Sequence, residues 1–110
     1  MCRRAYGYVR SADDDVGEIE RLTGEMHDYA RRRGLTLAEV FSDNGVASTA
    51  LARRGFTALL DALRKMAPPV VVVPSLSHLS CQPALRAELE LQIRDLGAPL
   101  HAIEPGTYLS

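Results

Sequence analysis

The sequence predicts an α/β domain of three layers, a mostly parallel sheet of four to five strands with helices on both faces. Three observations carry that expectation. Short segments rich in valine and tyrosine alternate with longer ones whose apolar residues recur at three- and four-residue steps. Val70–Val73 is apolar at every position, as a parallel strand buried on both faces should be. Glycine and proline fall between segments, at Gly34, Pro68-Pro69 and Gly97-Ala98-Pro99.

Taken in order, Ala5–Arg10 reads as the first strand, with Gly7 inside it, and Ser11–Asp15 as a polar break. A helix follows, with Val16, Ile19, Leu22, Met26 and Tyr29 on one face. Asp15 with Glu18 three residues on fits an N-terminal capping box. Arg31, Arg32 and Arg33 suit the negative end of the helix dipole, and Gly34 ends it. Leu35–Phe41 alternates as a second strand. Ser42–Arg54, 13 residues with Asn44-Gly45, is a long connection and a functional candidate. The second helix starts near Gly55, with Phe56, Leu59, Leu60, Leu63 and Met66 on its face, and closes at Pro68-Pro69. After Val70–Val73, Pro74–Gln82 is a serine-rich loop. Pro83 then suits the first turn of a third helix faced by Leu85, Leu89, Ile93 and Leu96. Leu100–Ile103 is a fourth strand. The order β-α-β-α-β-α-β places any active site beyond the strands' carboxyl ends, at 10–15, 42–54, 74–82 and 104–110.

The chain has 110 residues, enough for one domain spanning 1–110 with its own core. With 13 basic and 14 acidic groups its formal net charge is -1, which argues against a life spent mainly on phosphate contacts. Dividing the chain uncovers no basic half: residues 1–65 hold 11 basic and 10 acidic groups, and residues 66–110 hold 2 and 4. Cys2 and Cys81 make neither a disulfide framework nor a metal-ligand pair. No apolar run is long enough for a membrane span and no signal segment opens the chain. A cytoplasmic location without membrane contact is the expectation.

Few residues offer chemistry by type and spacing. There is no phosphate-cradling glycine loop, and His27, His78 and His101 lack ligand spacing, so they read as surface or loop residues. Asp13-Asp14-Asp15 could hold magnesium, but the preferred reading is a helix cap with solvated acids. No metal and no cofactor is expected. Cys81 could be a reactive thiol, though no base is assigned to it. Leu91 lies off the third helix's apolar stripe.

The remaining motifs are more specific. Tyr8-Val9-Arg10-Ser11 resembles the Tyr-x-Arg-Val-Ser signature of serine recombinases, the resolvase and invertase family. Ile19-Glu20-Arg21 through Met26 and Tyr29-Ala30 to Gly34 is similar to that family's first helix. Phe41-Ser42-Asp43-Asn44-Gly45-Val46 resembles its next motif, usually continued by Ser-Gly; Ala47-Ser48 stand there instead. Arg53-Arg54-Gly55-Phe56 resembles its Arg-Pro-Gly-Phe, with Leu59-Leu60 following. Val70–Val73, Leu76 and Leu79 match the spacing of Val-x-x-Leu-Asp-Arg-Leu-x-Arg. The likeness runs over residues 5–104.

The resemblance implies a resolvase-like fold and a metal-free chemistry. In that family a serine hydroxyl attacks a DNA phosphodiester and forms a phosphoserine link, and clustered arginines held by an aspartate stabilise the phosphate. Arg10 and Arg53 match retained arginine positions. In the ungapped register Ala12 falls at the nucleophile position, while a one-residue deletion would put Ser11 there. Ser77 stands at the aspartate position, and His78 and Cys81 at two arginine positions. His78 could be cationic at low pH, but it lacks arginine's bidentate fork.

The reading that follows is a serine-recombinase-like domain without strand cleavage, acting as a binding or regulatory protein or standing as a mobile-element relic. Its expected partners are weakly bound DNA or a protein such as a full-length recombinase, with a homodimer through another surface also open. The family's long dimer helix and DNA-binding domain are not expected within this chain. The alternatives are a recombinase-type enzyme with Ser11 as nucleophile, and an anion- or nucleotide-binding module built on Arg10 and Arg53.

Overall fold

The computed structural model describes residues 3–13, 15–47, 50, 52–65 and 70–103. The strands are β1 (Arg3–Ser11), β2 (Leu35–Asn44), β3 (Val70–Val73) and β4 (Leu100–Ala102). The helices are α1 (Val16–Arg32), α2 (Arg54–Lys65) and α3 (Pro83–Asp95), with a 3-10 turn at Leu76–His78. The sheet order is β2-β1-β3-β4, and every pairing is parallel.

Two apolar layers sandwich the sheet. On one face Tyr6, Tyr8, Val71 and Val73 pack against Phe56, Leu59, Leu63, Leu89 and Ile93 of α2 and α3. On the other, Ala5, Val9, Val70 and Val72 meet Leu22, Met26 and Tyr29 of α1. The four valines therefore divide between both faces, as the uninterrupted apolar run required. Gly7 is where α1 comes closest, because a Cβ there would lie 3.1 Å from the Met26 sulfur and 3.2 Å from Val40 Cγ2.

Several boundaries depart from the sequence expectation. β2 runs on through Asn44, since Ser42, Asp43 and Asn44 continue the register with Val9, Arg10 and Ser11. The long connection shrinks accordingly to residues 45–53. β2 does not alternate strictly. The register slips between Ala5 and Tyr6, leaving Ala38 as an extra residue. Leu35, Leu37 and Val40 consequently face α1, while Phe41 faces α2. Ser11 is the last residue of β1 rather than part of a turn.

Asp15 caps α1 by accepting the Glu18 N–H at 3.0 Å, but the reciprocal half of the capping box is absent because the Glu18 carboxylate pairs with Arg21. Val16, expected on the apolar face, is 56% exposed, since the cluster under α1 takes its residues only from Ile19 onward. Leu91 is likewise exposed. Gly34, at φ 70°, makes the left-handed step that ends α1. Met66, Pro68-Pro69 and the terminal strand end at 104–110 lie outside the described residues. Among the described residues no helix is long and apolar enough to cross a membrane.

Candidate phosphate site at the strand ends

The sheet order makes the carboxyl end of β1 a switch point, because the connections from β1 to β2 and from β2 to β3 leave in opposite directions. Arg10 sits there. Alternation along β1 puts it on the face of Tyr6 and Tyr8, towards α2 and the 3-10 turn. Its guanidinium donates to three main-chain carbonyls: Nε to His78 at 3.3 Å, Nη1 to Val46 at 3.0 Å and Nη2 to Ser77 at 3.2 Å. Its own N–H donates to His78 Nδ1 at 3.0 Å.

Arg53, just ahead of α2, is 3% exposed. Its Nε donates to the Ala50 carbonyl at 3.0 Å and its Nη1 to the His78 carbonyl at 3.4 Å. Two guanidinium groups thus converge on one carbonyl oxygen. Burial, and then the charge of Arg53, lower the pKa of Arg10 from its usual value.

Asp43 organises the floor of the site. Buried at the end of β2, it accepts from the Tyr8 hydroxyl at 2.7 Å, from Gly55 N at 2.7 Å and from Phe56 N at 3.0 Å. It therefore caps α2 from a distant strand and ties β1 to it. Gly55 must be glycine, since a Cβ would stand 2.7 Å from the Ser42 carbonyl carbon and 3.0 Å from Asp43 Oδ2. Burial, followed by Asp43, raises the Tyr8 phenol far above the ordinary tyrosine range, while Arg53 opposes that shift. Tyr8 and Asp43 stand within the quoted motifs, and no role for either is legible there. No local signal marks Asp43, since β2 also carries Thr36, Glu39, Ser42 and Asn44; only its burial in the fold demands donors.

His78 lies in the loop, as read from the sequence, but it is half-buried there, and burial followed by Arg10 lowers its imidazole to about 4. Because Nδ1 accepts the Arg10 N–H, the hydrogen-bond network assigns the ring proton to Nε2. At neutral pH His78 is an uncharged clamp on the β1 backbone, and its carbonyl serves both arginines.

Ser11 is not brought to the arginines. Alternation places it on the α1 face, and its Oγ accepts the Asp15 N–H at 3.4 Å. Ala12 is exposed in the following turn. The Ser77 hydroxyl meets Ser75 at 2.6 Å, while its carbonyl serves Arg10. Cys81 is an exposed free thiol within electrostatic range of Arg10.

The other candidates lie elsewhere. His27 is exposed, whereas His101, read as a surface or loop residue, is half-buried on β4 with Nδ1 3.4 Å from the Tyr29 hydroxyl. β4 places that ring beside α1 rather than in solvent. Asp13 is exposed and Asp15 caps α1, while Asp14 and Ser48 lie outside the described residues. Among the described residues no cluster of three metal-ligating side chains occurs.

Residues 5–108 match the family model of the resolvase N-terminal domain. The chain belongs to that family. Three solved structures are similar to this resolvase-family domain. The C-terminal catalytic domain of ISC1926 TnpA, an IS607-like serine recombinase, has a TM-score of 0.80 at 20% identity, over 94% of this chain and 72% of that one. The N-terminal catalytic domain of TP901-1 integrase has a TM-score of 0.83 at 18% identity, over 92% and 78%. The first open reading frame of transposon ISC1904 from Sulfolobus solfataricus P2 has a TM-score of 0.74 at 13% identity, over 96% and 70%. At these identities the likeness is one of fold. No curated protein matches the sequence. In this serine-recombinase fold, Arg10 and Arg53 come together at the end of the sheet, and His78 stands between them.

Proposed function

We propose that this resolvase-family domain retains the fold and a paired-arginine anion site without strand cleavage, and that it acts by binding. One observation carries the reading. Arg10 and Arg53 converge on the α2 face of β1, whereas the Ser11 hydroxyl is on the opposite face against Asp15. A nucleophile must come within about 3–3.5 Å of the phosphorus that the arginines hold, with its orbitals aligned. A hydroxyl on the other side of a strand cannot do so without re-registering the strand end. The third motif adds to this, because a neutral His78 gives no cationic fork where charge must be stabilised.

Incubating the chain with supercoiled plasmid, with Ser11→Ala beside it, tests the reading. The expected result is no nicking and no covalent DNA–protein adduct from either protein. Adducts formed by the wild type and lost in Ser11→Ala would overturn it in favour of a Ser11 enzyme, working alone or with a full-length recombinase.

The anion-binding part has its own support. Arg10 is half-buried, and among the described residues its guanidinium has carbonyl partners but no carboxylate. Titration calorimetry with inorganic phosphate and with nucleotides should show millimolar or tighter binding that Arg10→Gln removes. Equal heats from both proteins would refute it. The partner class that fits is a phosphate carried by weakly bound DNA. A protein partner or a second copy of this chain would engage other surfaces.

A further inference from the structure

In a parallel α/β sheet every strand begins, and every intervening helix ends, at the pole opposite the strand-end site. Here that pole gathers cations. Arg3 and Arg4 open β1, in register with Leu35 and Thr36 at the start of β2. Arg31 and Arg32 close α1, Arg33 caps it, and Lys65 closes α2. All six side chains are exposed. Alternation along β1 puts Arg3 on the α1 face of the sheet and Arg4 on the α2 face.

Opposing charge lies nearest on the α2 face, where Glu39 and Asp61 share a groove with Lys65 and Asp61 pairs with Arg64. Asp28 pairs with Arg31. Among the described residues Arg3, Arg4, Arg32 and Lys65 have no carboxylate partner. At the end of α3, Arg94 pairs with Glu90, and Asp95 is an exposed carboxylate. Complementing the helix dipole accounts for cations at the ends of α1 and α2 but not for Arg3 and Arg4, which sit on a strand. An open groove of about 410 Å³ between the last turns of α1 and the start of β2, flanked by His27, Arg31 and Thr36, lies within this patch.

The geometry points to this arginine pole as a docking surface for the phosphate backbone of double-stranded DNA. Duplex DNA presents about one negative charge per 1.7 Å of axis, the densest array such a patch could meet. Unpaired strands are held largely by stacking on aromatic rings. No exposed aromatic side chain lies at this pole among the described residues, and Tyr29 is buried beneath Arg33. Contacts of this kind position a duplex without reading its sequence. The surface lies at the other end of the sheet from Arg10 and Arg53, so it does not depend on how that site is read.

Fluorescence anisotropy with a short labelled duplex, repeated across a salt series, tests the assignment. Four phosphate contacts give a slope of about -3.6 in log K against log salt, a weakening of about 10²-fold between roughly 50 and 200 mM. The double variant Arg3→Gln/Arg32→Gln should halve that slope, so that it weakens only about 12-fold over the same range. Arg4→Gln/Lys65→Gln, on the other face, provides an independent second pair. Arg54→Gln, a single charge at the opposite pole, should leave both affinity and slope unchanged. Circular dichroism confirms that each variant is folded. Unchanged affinity and slope in both double variants would overturn the proposal. So would duplex binding lost in Arg10→Gln but kept in the double variants, or binding to phosphatidylserine vesicles without binding to duplex.

Discussion

Replacing Asp43 by alanine tests whether one buried carboxylate joins β1 to α2. The substitution removes three acceptor contacts at once, from the Tyr8 hydroxyl, Gly55 N and Phe56 N. Loss of the helix cap costs about 1 kcal/mol. The Tyr8 hydroxyl, on a residue with 0% exposure, loses its carboxylate acceptor, which adds about 1–3 kcal/mol. The small cavity left behind adds roughly 1 kcal/mol more. A total loss of about 3–5 kcal/mol is expected, a large part of the roughly 5–15 kcal/mol that holds a domain of this size. Urea unfolding followed by circular dichroism measures it. A double-mutant cycle with Tyr8→Phe isolates the orphaned hydroxyl, since Asp43→Ala should cost about 1–3 kcal/mol less in that background. A loss below about 1 kcal/mol, or full additivity with Tyr8→Phe, would refute the argument that Asp43 works through these three donors.

Gly55→Ala should destabilise by about 3 kcal/mol or more, because the new methyl meets the Ser42 main chain rather than a side chain that can move; thermal melting reads it directly. His78 has a folded-state pKa of about 4, below the ordinary 6.5, so the stability it contributes is present above about pH 6.5 and lost as pH falls towards 4. Discounted for partial exposure, that amounts to about 2–3 kcal/mol, and His78→Gln should flatten the pH dependence of the urea midpoint over this window. For Tyr8 the folded pKa is raised above the usual 10.0, so its contribution holds below about pH 10 and is lost in stronger alkali; Tyr8→Phe should remove that part of the alkaline destabilisation.

Much of the fold was legible because it rests on local periodicity. Val70–Val73 forms the expected strand, Leu89 and Ile93 are buried on α3, and Gly34 ends α1 with the left-handed turn glycine allows. What escaped depends on pairing across the sheet. Asn44 belongs to β2 because Ser11 is beside it, and Ala38 is an added residue only relative to β1. His78 escaped for a related reason. A histidine in a serine-rich loop has no local sign of burial, and only the folded turn brings it over the Arg10 backbone.

The sequence by itself determined the order of elements, the apolar faces and the resolvase motifs, because each is written in neighbouring residues. Tertiary structure decided that Ser11 ends β1 and meets Asp15 rather than the arginines. A strand alternates sides at every step, so Ser11 falls opposite Arg10 whatever its chemistry. Tertiary structure also decided where charge gathers. The net charge of -1 is a sum along the chain, and no cut through the sequence uncovers a basic half. A parallel sheet sorts residues by pole instead, and residues 3–4, 31–33 and 65 meet at one end because every strand starts there.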